Sequence, residues 1–139
     1  MSRVDFYILS AADSDQRDAF ACRLAEKAWQ QGHRIYIRTA DAAATQRLDE
    51  RLWTFREASF VPHSPVAEAE DDPIVIGDQP PPAADVQINL GDDIDPQWRA
   101  YQRVAELVTN EPSDRQRARE RFRHYRDAGV EPTTHNLDH

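Results

Sequence analysis

Cysteine is almost absent from this sequence. Its single thiol, Cys22, forbids an intrachain disulfide and leaves too few thiolates for a structural zinc site. Glycine is also scarce, at 4 of 139 residues, which excludes collagen-like chains, and neither G-x-G-x-x-G nor a P-loop ending in Gly-Lys-Ser/Thr occurs. No apolar run approaches the roughly 20 residues needed to cross a bilayer. The start, Met1-Ser2-Arg3-Val4-Asp5, lacks the charged-then-apolar layout of a signal peptide, so a cytoplasmic protein without membrane contact is expected. What is present, 40% hydrophobic and 9% aromatic residues in a chain of one-domain length, can bury a compact core.

Charge is unevenly spread. Lys plus Arg is 17 against 25 for Asp plus Glu, a formal net charge of -8, which repels a phosphate backbone at long range and argues against direct nucleic-acid binding. From Glu68 to Asp95 there are acids and no base, whereas Arg115 to Arg126 holds six arginines against the lone Glu120. A local basic focus inside an acidic chain suits a short anionic ligand rather than a long polyanion.

The hydrophobic pattern alternates between strand and helix. Val4–Leu9 is almost continuously apolar, as an interior, central strand would be. Asp13, Ser14 or Asp15 can cap a helix whose Phe20, Leu24 and Ala28 repeat every four residues until Gly32 ends it. Arg34–Arg38 follows as a second strand, completing a βαβ unit with a right-handed crossover. A helix from about 41 to 54 places Ala44, Leu48, Leu52 and Phe55 on one stripe. Prolines interrupt the segment after Phe60, and 77–84 reads as a loop. Ile74–Ile76 is a short strand, and Val86, Ile88 and Leu90 alternate with Gln87 and Asn89 in a strand with one polar face. Residues 96–108 suit a helical turn leading into a strand. Ser113 followed by Gln116 predicts a capping box for a helix running to Gly129. Residues 1–132 then form one α/β unit, three-layered as α/β/α around a mostly parallel sheet, and 133–139 is expected to be a mobile tail.

No catalytic constellation stands out. The turn after the first strand, Ser10 to Asp15, would crowd and repel a pyrophosphate, so no nucleotide cofactor is expected. The strongest enzymatic alternative is magnesium-dependent phosphoryl transfer on Asp92, Asp93 and Asp95, just beyond a strand. It lacks a nearby base for the phosphate, and Asp95 before Pro96 equally suits a helix cap. His33, His63, His124, His135 and His139 are scattered, and Ser59 has no nucleophile elbow.

The last helix carries the sharpest signal. Arg115, Arg119, Phe122 and Arg126 fall within one sector about 60° wide, lining guanidinium groups beside a ring. Such a stripe can receive an acidic peptide ending in a hydrophobic residue or a carboxylate. A solvated basic face with Phe122 and Tyr125 turned inward fits the same spacing, and Arg117, Arg121 and His124 read as ordinary surface. A second cluster, Trp53, Phe55, Phe60, Val61, Pro62 and His63, suits either a partner interface or a small satellite core.

Together, Phe6–Leu9, the L-D-E-R-L-W string at Leu48–Trp53, S-F-V-P-H at Ser59–His63, Pro73-Ile74 and A-R-E-R-F-R-H-Y-R at Ala118–Arg126 resemble the chi subunit of bacterial DNA polymerase III holoenzyme, in order along nearly the whole chain. The resemblance implies a Rossmann-like fold without its nucleotide. It implies a noncatalytic adaptor of the clamp loader, joining the psi subunit to the acidic C-terminal tail of single-stranded DNA-binding protein. The tail pocket would map onto Arg115, Arg119 and Phe122 with Arg123 nearby, beside Arg126 of the same stripe. The surface for psi, shared in some bacteria with a helicase-like protein, would map onto Trp53, Phe60, Pro62 and His63. Arg115 and Phe122 stand where many relatives carry lysine and tyrosine, and the acidic, proline-rich segment 68–85 matches the family poorly.

Overall fold

A computed structural model describes residues 2–10, 14–54, 63–65, 73–81 and 84–137. The elements run β1 (Arg3–Leu9), α1 (Ser14–Gln30), β2 (Ile35–Arg38), α2 (Ala42–Thr54), β3 (His63–Pro65), β4 (Ile74–Gly77), β5 (Val86–Asn89), β6 (Arg103–Val108), α3 (Pro112–Asp127) and β7 (Thr133–Leu137). The strands form one seven-stranded sheet in the order β3-β4-β2-β5-β6-β1-β7, and every pairing is parallel. A parallel sheet needs both faces covered. Ala21, Cys22 and Ala25 of α1 and Leu48 of α2 pack on Tyr7, Ile35, Ile37, Ile74, Ile76 and Ile88. On the opposite face Ala118 and Tyr125 of α3 pack on Val4, Phe6, Tyr36, Val104 and Val108. The protein is therefore a three-layer α/β/α structure.

Several elements close as their chemistry dictates. Both Gly32 and Gly129 take positive φ, +90° and +97°. In each case the following amide turns back to the helix, from His33 to the Ala28 carbonyl (3.1 Å) and from Val130 to the Tyr125 carbonyl (3.0 Å), which is the Schellman arrangement. Asp41 caps α2 by accepting the Ala44 amide at 2.8 Å. The turn-then-strand reading of 96–108 matches a 3₁₀ turn at Trp98–Ala100 followed by β6. Burial pushes the Cys22 thiol up to about 12, leaving it unreactive in the core.

Other expectations are corrected. β1 is not central: it lies one strand from the edge, and β6 and β5 separate it from β2. The α1 face against the sheet is Ala21, Cys22 and Ala25, with Phe20, Leu24 and Ala28 only partly buried beside it. Ser113 does not cap α3. Pro112 opens the helix and Ser113 lies inside its first turn, donating to the Glu111 carboxylate. The Asp114 carboxylate instead holds the entering chain by accepting the Thr109 amide and hydroxyl, both at 2.8 Å. The expected mobile tail is strand β7 over Thr133–Leu137, paired with β1 along Asp5–Leu9. His135 explains its anchorage. The ring stacks on Tyr7 at 4.7 Å, and Nε2 lies 3.0 Å from the buried Asp5 carboxylate. Burial raises the Asp5 carboxyl, but the His135 hydrogen bond and the Arg103 and Arg3 charges outweigh it and hold it below its ordinary value.

Candidate functional site: a cationic cleft between α3 and β7

Doubly wound sheets bind ligands beyond the carboxyl ends of their strands. Here the α3 side of the strand ends carries a network of the protein's own side chains. The β5 positions read as a polar face, Gln87 and Asn89, are fully buried. Asn89 Nδ2 donates to both oxygens of Glu106 at 3.0 and 3.1 Å, and Arg38 reaches Asn89 Oδ1 at 3.2 Å. Glu106 also accepts Arg121 Nε at 3.1 Å and the Tyr125 hydroxyl at 2.6 Å. Burial pushes its carboxyl upward, while Arg121, Tyr125 and Asn89 pull the other way. Gly91 allows this crowding, because a Cβ there would lie 3.0 Å from an Arg38 guanidinium nitrogen. Arg121 is thus a buried partner of Glu106, not surface. Its signal was available: Asp114, Ala118, Arg121 and Tyr125 form the inward stripe of α3 at three- and four-residue spacing.

The three aspartates of the enzymatic alternative are dispersed into the same framework. Asp93 pairs with Arg38 at 3.0 Å, and Asp95 accepts Gln87 Nε2 at 2.7 Å and the Gln97 amide at 2.9 Å. The Asp92 carbonyl accepts Arg121 at 3.0 Å, while its carboxylate lies 3.7 Å from Arg117. Among the described residues no three His, Cys, Asp or Glu side chains are grouped to hold a metal ion.

The arginine stripe has a different environment. Arg115, Arg119, Phe122, Arg123 and Arg126 line a cleft of about 370 Å³ with Phe6, Ile8, Val108, Ala118, Thr134 and Asn136. Its floor is apolar: Phe122 is half-buried, with its ring 5.4 Å from that of Phe6. Its far wall is β7, the segment the sequence reading released as a tail. Arg119 donates to Gln116 at 3.2 Å. Among the described residues no carboxylate pairs with Arg115, Arg119, Arg123 or Arg126, and the buried Arg115 Nε has no hydrogen-bond partner. Spacing thus identified one wall and missed the other.

The second candidate cluster is described only in part. Trp53 lies in the last turn of α2 and His63 opens β3, whose backbone pairs with Ile74 of β4. Their side chains, and Phe55, Phe60, Val61 and Pro62 altogether, lie outside the described residues.

An all-parallel α/β sheet with an internal Glu–Arg–Tyr cluster under one helix and a cationic cleft on that helix's outer side defines a Rossmann-like protein, one whose sequence carries no nucleotide-binding glycine motif. The family described as DNA polymerase III chi subunit, HolC matches residues 1–133. Over 139 residues the chain is 45% identical to DNA polymerase III subunit chi of Pseudomonas aeruginosa, covering 99% of this chain and 98% of that one. It is 31% identical to the Escherichia coli chi subunit over 146 residues, covering 96% and 97% of the two chains. The Haemophilus influenzae chi subunit is 29% identical over 137 residues, with 95% of each covered. The chain belongs to the chi subunit family of DNA polymerase III, a family of replication subunits.

Proposed function

We propose that this protein is a noncatalytic, cytoplasmic adaptor of the clamp-loader complex, joining a psi-type subunit to the acidic C-terminal tail of single-stranded DNA-binding protein. The observation that carries the tail-binding half is a cleft whose arginines pair with no carboxylate among the described residues and whose floor is aromatic. Arg115, Arg119, Arg123 and Arg126 would meet the acids and terminal carboxylate of the tail, with charge supplying orientation and speed. A terminal apolar side chain would pack on Phe122 and Phe6, where burial contributes about 1.5 to 3 kcal/mol. One such contact is modest, and several tails on coated DNA strengthen it by avidity. With a net charge of -8, bare single strands should not be gripped. No helix among the described residues is long and apolar enough to cross a membrane. Trp53, Phe60, Pro62 and His63 are proposed as the surface for psi, or for a helicase-like protein, on the family resemblance alone.

Arg119→Ala should weaken binding of a synthetic tail peptide by at least about 1.5 kcal/mol, the scale of a charged hydrogen bond. Arg119 is exposed on α3, so the thermal midpoint should hardly move. Calorimetry on the folded variant checks this, and an unchanged affinity would count against the cleft as the tail site.

A further inference from the structure

Among the described residues β7 is the last strand of the sheet and pairs on one side only, with β1. Alternate N–H and C=O groups of Thr133–Leu137 therefore point outward, and no backbone hydrogen bond among the described residues meets them. Sheet edges are commonly blunted by a charge, a proline or a bulge. β7 carries no lysine, acid or proline, and its pairing with β1 runs through five consecutive residues without interruption.

Both flanks of this edge are cationic in an otherwise acidic protein. Thr134 and Asn136 face the α3 cleft. His135 faces the other way, stacked on Tyr7, and Tyr7 lines a second groove of about 310 Å³ with Phe20, Arg23, Leu24 and Lys27 of α1. Among the described residues neither Arg23 nor Lys27 has a carboxylate partner. Arg23 lies over the Phe20 ring, 5.7 Å from its centre. A strand laid along β7 would direct alternate side chains to the two faces. One set would approach Arg119, Arg123 and Arg126, and the other Arg23 and Lys27. Only a polypeptide can satisfy the open backbone edge, and only an acidic one suits both flanks.

We infer that the open edge of β7 receives the acidic partner segment as an eighth strand, its side chains shared between the α3 cleft and the Arg23–Lys27 groove. This rests on the proposed role of the cleft in binding an acidic tail. The probe is a synthetic peptide of acidic residues ending in phenylalanine with a free carboxylate, added to the full chain. Amide exchange should slow at least about tenfold at alternate positions of Thr133–Leu137. N-methylation of alternate peptide bonds should weaken binding about tenfold with every side chain retained. The double variant Arg23→Glu with Lys27→Glu should weaken it about fivefold while leaving the Arg119→Ala effect in place. Binding that is sensitive to Arg119→Ala but indifferent to N-methylation, with β7 amides unprotected, would overturn the added strand and leave the cleft reading standing. Absence of peptide binding would remove both. Protection of β7 by a single-stranded oligonucleotide instead of the peptide would show the wrong class of partner.

Discussion

Arg121→Ala is expected to destabilise the protein by about 3 to 5 kcal/mol, the cost of leaving a buried charge unpaired. Glu106 is fully buried, and Arg121 is the only cation among the described residues in an ion pair with it. The hydrogen bonds from Asn89 and Tyr125 orient the carboxylate without neutralising it. Domains of ordinary stability have about 5 to 15 kcal/mol in total, so denaturant unfolding should show a large loss. Replacing both members, Glu106→Leu with Arg121→Met, should recover most of it, since a well-packed apolar pair often matches a buried ion pair. A loss below about 1 kcal/mol for Arg121→Ala would mean that the pair does not hold α3 against the sheet. The consequence reaches the cleft. Arg121 and Tyr125 fix the inward face of α3, which in turn presents Arg119, Phe122 and Arg126 toward β7.

Ending the chain after Pro132 should abolish tail-peptide binding and cost about 2 to 4 kcal/mol, from the charge-assisted contact of His135 with Asp5 and its stacking on Tyr7. The deletion removes Thr134 and Asn136 from the cleft wall and leaves the β1 edge bare. All the α3 arginines would remain in place. Affinity that survives deletion would show that the arginine stripe works alone, and a change in stability within about 0.5 kcal/mol would match a tail that contributes nothing.

These two results mark where the sequence was legible. Period and turn chemistry located α3 and its Gly129 terminator, and the spacing of Arg115, Arg119, Phe122 and Arg126 placed them together on one face. The opposite wall was hidden because an edge strand need not be apolar. Thr133-Thr134-His135-Asn136-Leu137 has no apolar run to announce a strand, and its order comes from pairing with β1, from His135 against Asp5 and Tyr7, and from Leu137 against the core. The buried polar cluster was misread for a related reason. Asn89, Glu106 and Arg121 look solvated one at a time, and only the β5–β6 register, which sets Asn89 beside Glu106, lets them satisfy one another beneath α3, while Gln87 is met by Asp95. Glu106 between Val104 and Val108 was nonetheless a carboxylate on an apolar face, a sign that a cation had to be found for it. Asp92, Asp93 and Asp95 drew attention as neighbours in sequence, yet their partners Arg117, Arg38 and Gln87 come from three different elements.

The cleft between α3 and β7 is proposed to capture an acidic C-terminal segment. Titrating the isotope-labelled full chain with a tail peptide and following its backbone and arginine side-chain resonances tests this most directly. Saturable shifts are expected to concentrate at Arg115–Arg126 and Thr133–Leu137, diminished when the peptide's terminal carboxylate is amidated. Shifts confined to other elements, or none at concentrations where the peptide is bound, would contradict it.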